Sequence, residues 1–242
     1  AALMKHGLEL ALEHGLTEDA ATFYFILSDQ CFRSDRYEDA LDYLDRSLEQ
    51  VHKLGSRPYE MGTLAERTYP LWMLGRWDEV ITTEADTDKE MLDAGGVVLS
   101  LLQSAVDIYI QRGQLQEALR VFHLFDRLED STDVQDQSTY AAVRATLHRA
   151  EGRHEEALAA GLVALEAAPV LGPSFQGVKQ AVVEALESAL ALGDHAKVEE
   201  LYAFVDSIPL ASASPYMAAQ VQRLRARTAG DAEGLLAAVQ EF

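Results

Sequence analysis

Seven histidines, one cysteine, two glycine-containing turns, repeated acidic pairs and one arginine run are the residues whose types could do chemistry. His6, His14, His52, His123, His148, His154 and His195 never fall four apart, the spacing that puts two metal ligands on one helix face. Gly172-Pro173-Ser174-Phe175-Gln176-Gly177 resembles a serine nucleophile elbow with one residue too many before its second glycine. Gly95-Gly96 lacks the Lys-Ser/Thr of a phosphate loop. Asp78-Glu79 and Glu155-Glu156 recur at matching places, as helix-start electrostatics predicts and a unique catalytic pair does not. Arg223, Arg225 and Arg227 fall toward a helix end, where cations are favourable. Cys31 shares a helical stripe with Tyr24 and Leu27, so its thiol is read as buried and inert. The chain is therefore expected to have no catalytic residues, no metal site and no cofactor.

The elements that would position these residues repeat. Asp35-Arg36-Tyr37-Glu38-Asp39-Ala40-Leu41 returns as Gly75-Arg76-Trp77-Asp78-Glu79-Val80-Ile81, Gly113-Gln114-Leu115-Gln116-Glu117-Ala118-Leu119 and Gly152-Arg153-His154-Glu155-Glu156-Ala157-Leu158, with weaker copies from Gly193 and Gly230. The phrases start at 35, 75, 113, 152, 193 and 230, a period near 39 residues. The leading Gly or Asp suits the left-handed residue that ends a helix, the acids suit the start of the next, and the small residue lets two helices approach. Each phrase is thus the inner turn of a helical hairpin. Apolar spacing is helical on both sides, as in Tyr24, Leu27, Ser28 and Cys31 before a turn and Ala40, Leu41, Leu44 and Leu48 after it.

Outer turns are read at Gly15-Leu16-Thr17, Gly55 to Pro58, Gly95-Gly96, Gly172 to Ser174 and Ser212 to Pro215, with Thr17, Ser56 and Ser214 as N-caps and Pro58 and Pro215 in first turns. Residues 1–16 read as the trailing helix of a preceding repeat, followed by repeats 17–55, 56–95, 96–131, 132–172, 173–212 and 213–242 in a single domain. Thr82-Thr83-Glu84-Ala85-Asp86-Thr87-Asp88 is too polar for a full packing face, so the helix after Trp77 is expected to be short or broken. No segment alternates with period 2, so strands are not expected.

Tyr24, Leu27, Ser28 and Cys31, followed by Tyr37, Ala40, Leu44 and Ser47, resemble a tetratricopeptide repeat, and Leu102 to Phe125 and Ala141 to Pro169 match more loosely. The resemblance implies an all-α, right-handed α-solenoid of about six TPR-like hairpins. The long period, absorbed by long helices such as Tyr37 to Leu54, and phrases such as Ala11-Leu12-Glu13-His14-Gly15-Leu16 are similar to the C-terminal repeat regions of large bacterial ATP-binding regulators: LuxR-type activators, antibiotic-regulator relatives and class III cyclase fusions. That resemblance implies a protein-interaction and sensing arm of a multidomain regulator, or alternatively a small-effector domain. The opening Ala1-Ala2-Leu3-Met4-Lys5, without a leading Met, is expected to belong to a longer protein.

Composition sets limits on partners. Twenty Lys plus Arg against 40 Asp plus Glu give a net charge of −20 over 242 residues, which opposes direct binding to nucleic acid. No apolar run approaches the ~18 residues of a membrane span. The single cysteine suits a cytoplasmic protein. Stacked hairpins leave a stripe on each first helix, read as Phe25, Asp29 and Phe32; Ala65, Tyr69 and Trp72; Gln103, Asp107 and Ile110; Ala142, Thr146 and Arg149; and Val183, Glu187 and Leu190. Within it, Phe25, Asp29, Tyr69, Trp72, Gln103, Asp107, Thr146, Arg149 and Glu187 form the expected groove for a protein or peptide partner with apolar anchors and positive charge, or for a small effector. Packing of Phe25, Tyr69 and Trp72 between repeats is the competing expectation. Self-association through open solenoid ends is the remaining partner expectation.

Overall fold

The computed structural model describes residues 2–87 and 99–240, and every regular element among them is helical. The chain divides into two compact units, Ala1–Phe125 and Asp126–Phe242. The division falls within the 96–131 segment. Unit 1 contains α1 (Ala2–Glu13), α2 (Thr17–Arg33), α3 (Tyr37–Leu54), α4 (Arg57–Met73), α5 (Trp77–Ala85), α6 (Leu99–Gln111) and α7 (Leu115–His123). Unit 2 contains a 3-10 turn at Asp126–Leu128, then α8 (Val134–Ala150), α9 (His154–Leu165), the one-turn α10 (Ala168–Leu171), α11 (Gln176–Leu192), α12 (His195–Asp206), α13 (Pro215–Ala229) and α14 (Ala232–Gln240). Among the described residues the helices pair as hairpins α2/α3, α4/α5, α6/α7, α8/α9, α11/α12 and α13/α14, each around one inner-turn phrase. None of the described helices is long and apolar enough to cross a membrane.

The inner turns share one backbone device. Asp35 adopts φ 54°, and Gly75, Gly113, Gly152, Gly193 and Gly230 take the same left-handed conformation at the equivalent positions. In each turn the following amide reaches back five residues to a helical carbonyl: Arg36 to Cys31 at 3.0 Å, Arg76 to Leu71 and Gln114 to Tyr109 at 2.8 Å. Arg153 to His148 at 2.8 Å, and Asp194 to Ala189 and Asp231 to Ala226 at 2.9 Å, complete the set. These bonds satisfy carbonyls that a helix end otherwise leaves open. Asp35 pays for its side chain in this conformation, and its carboxylate accepts from the Tyr37 hydroxyl at 2.8 Å.

Capping differs from expectation at two turns. Thr17 lies inside α2 because the Leu16 carbonyl already accepts from the Ala20 amide at 2.9 Å, which makes Leu16 the N-cap. Ser56 occupies the N-cap of α4 but its hydroxyl makes no capping bond. Ser214 caps α13 by accepting from the Met217 amide at 3.2 Å, and Pro58 and Pro215 sit in first turns. The Gly95-Gly96 turn lies outside the described residues.

Burial follows the hairpin logic. Ala40, Ala118 and Ala157, at one place in three inner-turn phrases, are fully buried where the paired helices meet. In unit 1, Leu8, Ala11, Ala20, Tyr24 and Leu27 form one cluster, and Cys31, Phe32, Tyr37, Ala40, Leu44 and Tyr69 form another. Burial pushes the Cys31 thiol up, away from the reactive thiolate. In unit 2, Val182, Leu186 and Ala189 pack with Val198, Leu201, Tyr202, Val221 and Leu224. Each Val, Leu or Phe among them removed from water contributes about 1.5–3 kcal/mol before entropy is counted.

The polar segment after Trp77 does form a short helix, α5. Thr82 and Thr83 turn their hydroxyls back onto the carbonyls of Asp78 and Glu79, a habit that weakens a helix interior. Glu84 is nevertheless buried, accepting from the Tyr109 hydroxyl at 3.0 Å and Arg120 Nη2 at 2.9 Å.

Candidate functional site

In unit 1 the first helices α2, α4 and α6 carry the expected stripe, and the structure divides it by depth. Phe32, Ala65, Tyr69 and Gln103 are buried, while Phe25, Asp29, Trp72, Asp107 and Ile110 remain partly exposed. Tyr69 therefore is not an open-groove anchor. Its ring lies 5.4 Å from that of Phe32, 6.0 Å from Tyr37 and 5.5 Å from Trp72, which is the packing expected of a large residue between repeats. Gln103 is likewise interior. Trp72 sits at the boundary, its indole Nε1 donating to Asp107 Oδ2 on α6 at 3.2 Å.

Phe25 opens onto a pocket of about 210 Å³ between α2, α3 and α4. Ala21, Thr22, Val51, Pro58 and Tyr59 supply most of its walls, and at its edge the Tyr59 hydroxyl donates to Glu18 Oε1 at 3.1 Å. The volume matches about one large side chain. One turn further along α2 from Phe25 is Asp29, which accepts from Arg33 Nε at 3.1 Å. One turn along α4 from Gly62, another wall residue, is Glu66, which accepts from Ser100 Oγ at 2.8 Å. The pocket thus has mostly apolar exposed walls with one carboxylate, Glu18, in its lining, while Asp29 and Glu66 lie a turn away from wall residues.

Glu66 was not singled out from the sequence, and it is electrostatically unusual. Burial pushes its carboxyl up to about 7 and the nearby Asp29 charge adds to this, while the Ser100 hydrogen bond works the other way. Because the folded value lies above the 4.5 of a free side chain, the folded state holds the proton more tightly. This contribution to stability is full below about 4.5 and disappears as pH rises through about 7. Glu66→Gln is expected to match wild type near pH 4.5 and to exceed it by about 1–2 kcal/mol near pH 8, a figure reduced for the partial exposure of the side chain. Urea unfolding midpoints at the two pH values test this, and equal midpoints at pH 8 would contradict it.

In unit 2 the stripe is occupied by contacts between successive repeats. Thr146 is completely buried, with its hydroxyl donating to the Ala142 carbonyl and accepting from Gln180 Nε2 at 2.8 Å. Like Tyr69 and Gln103, it is withdrawn from any open groove. Arg149 grips Glu184 through both Nε and, at 3.1 Å, Nη2. Glu187 accepts from Arg223 at 2.7 Å and Arg227 at 2.6 Å. Burial alone would raise the Glu187 carboxyl, but the bonds from Arg227 and Arg223 outweigh it and hold the group below the usual carboxylate range. Arg225 instead pairs with Asp206 at 2.8 Å and lies 4.5 Å from the centre of the Tyr202 ring. Among the described residues no three His, Cys, Asp or Glu side chains converge as a metal site would require.

Glu66, Ser100, Gln180 and Glu184, which the sequence reading did not name, belong to a set of contacts that share a spacing. Glu66/Ser100, Trp72/Asp107, Thr146/Gln180, Arg149/Glu184 and Glu187/Arg223 are separated by 34, 35, 34, 35 and 36 residues. That is one repeat less about one helical turn, so α4 meets α6 in unit 1, and α8 meets α11 and α11 meets α13 in unit 2, with a one-turn stagger.

No family model and no curated protein matches this chain by sequence. Among solved structures, BtubC (BKLC) from P. vanneervenii is similar over 95% of this chain and 91% of its own, with a TM-score of 0.53 at 15% identity. A candidate kinesin light chain with nearly identical TPR-like repeats, from Podosopora anserina, aligns over 85% of this chain and 94% of its own, with a TM-score of 0.42 at 16% identity. The fold is a TPR-like α-solenoid. At these identities the likeness concerns architecture alone.

Proposed function

We propose that the chain is a non-catalytic protein-interaction module in which the first-helix face of unit 1 receives a partner segment. The pocket beside Phe25 carries this reading, because it offers room for one apolar side chain with the Glu18 carboxylate in its lining. A segment with a Leu or Phe anchor flanked by Lys or Arg fits both features. The buried Tyr69 and Gln103 support the face from beneath, and Trp72 with Asp107 forms its far edge. The resemblance to bacterial regulator arms supports a cytoplasmic, multidomain setting, which the coding sequence upstream of Ala1 tests: a phosphate loop and a DNA-binding helix pair are expected there. The net charge of −20 supports recognition of protein rather than nucleic acid.

The experiment is fluorescence anisotropy with a labelled helical peptide carrying one Phe anchor among lysines, beside a version with glutamates in place of the lysines. Binding of the first alone is expected. Phe25→Ala should weaken it by about thirtyfold, the equivalent of about 2 kcal/mol for a buried aromatic anchor. Glu49→Ala, an exposed change on α3, should leave affinity and melting unaltered. Equal binding of both peptides, or wild-type affinity in a stably folded Phe25→Ala protein, would refute the reading.

A further inference from the structure

A second cavity, of about 480 Å³, lies within unit 2 at the inner-turn end of its hairpins. Arg149, from the last turn of α8, Arg227 and Thr228, from the last turn of α13, and the Glu187 carboxylate of α11 contribute to its lining. His154 and His195 reach it from the first positions of α9 and α12, and Leu190 and Ala191 of α11 give it an apolar wall. His154 and His195 are repeat-equivalent, 41 residues apart, so the solenoid itself brings the two rings to one edge.

The charges there do not cancel. Glu184 is matched by Arg149, whereas Glu187 alone faces both Arg223 and Arg227. Within these ion pairs three guanidinium groups face two carboxylates, so Glu187 is shared between two arginines. Pairing with Glu187 does not require Arg227, because Arg223 already reaches that carboxylate at 2.7 Å. Arg227 is also the more exposed of the two, its side chain 46% accessible against 28%. The His154 ring is incompletely satisfied, with a buried Nδ1 that has no hydrogen-bond partner. The lining thus carries two arginines and one glutamate in a chain of charge −20.

We infer that this cavity binds a small organic anion, with a carboxylate or phosphate head held by Arg227, Arg149 and the two histidines and an apolar body against Leu190 and Ala191. Its volume falls within the ~300–1,000 Å³ of small-molecule sites. Guanidinium groups suit either oxyanion through parallel N–H donors. The same arginines oppose a metal cation between the histidines. This site is separate from the segment-binding face of unit 1, and the failure of either leaves the other standing.

The test is a titration of the whole chain, following the histidine ring signals by NMR, with phenyl phosphate, benzoate and neutral benzamide. Saturable shifts of the His154 and His195 signals are expected with one or both anions and not with benzamide; the stronger anion identifies the head group. Arg227→Gln, which leaves Arg223 on Glu187, should weaken binding about tenfold through loss of a charge-assisted contact. Should that variant melt below wild type, His195→Gln provides the same comparison from another helix and should also weaken binding. Unmoved ring signals at about 10 mM phenyl phosphate, equal shifts with benzamide, or wild-type affinity in both variants would overturn the inference.

Discussion

Tyr69→Ala is expected to destabilise unit 1 by about 3–5 kcal/mol, the range for removing a large aromatic side chain from a packed core. The side chain is 2% accessible and its ring contacts those of Phe32, Tyr37 and Trp72, so truncation leaves a void bordered by three helices. Because Pro70 follows within α4, the backbone here lacks one amide donor and gains little from local helix bonding. Packing must therefore hold this part of α4. Chemical unfolding followed by Trp72 and Trp77 fluorescence reports the change directly, since both tryptophans belong to unit 1. Tyr69→Phe retains the ring and should retain most of the stability. A loss below about 1 kcal/mol in Tyr69→Ala would mean that the ring is not a structural link between these helices.

Tyr69 also shows where sequence reasoning reached its limit. The period, the two-helix repeat, the left-handed inner turns and the extent of α3 were all legible, because each depends on local chemistry: a glycine or aspartate, an acidic first turn, a small residue at the contact. The division of a first helix into buried and accessible faces was not. In unit 2, α11 touches its own partner and the first helices α8 and α13 on either side, so its buried arc is wide and need not be apolar. There Lys179, Gln180 and Glu184 are buried along with Val178, Val182 and Leu186. A pattern that equates polar with exposed fails there, as it did for Gln103 and Thr146. The usable signal was complementarity at a separation of about 35 residues, which pairs Trp72 with Asp107, Thr146 with Gln180 and Arg149 with Glu184. Reading it requires the one-turn stagger between neighbours, and that is a property of the packed array.

Arg149→Ala should have the second large effect, about 3–5 kcal/mol, for a different reason. The Glu184 side chain is 6% accessible and receives two bonds from the Arg149 guanidinium, whose own side chain is 29% accessible. Truncating the arginine leaves a carboxylate in a site with little water to solvate it. Truncating both partners removes that penalty, so Arg149→Met with Glu184→Leu should recover most of the stability, because a buried ion pair contributes little net energy over apolar residues of similar size. The double variant is also informative about specificity. If the pair selects the one-turn stagger between α8 and α11, the variant should remain stable but unfold less cooperatively, with a broader urea transition than wild type, as alternative registers become populated. A transition as sharp as wild type would show that Thr146 and Gln180, together with the surrounding alanines and valines, determine the register without the ion pair. A loss below about 1 kcal/mol in Arg149→Ala alone would show instead that Glu184 finds water or another donor once the arginine is gone.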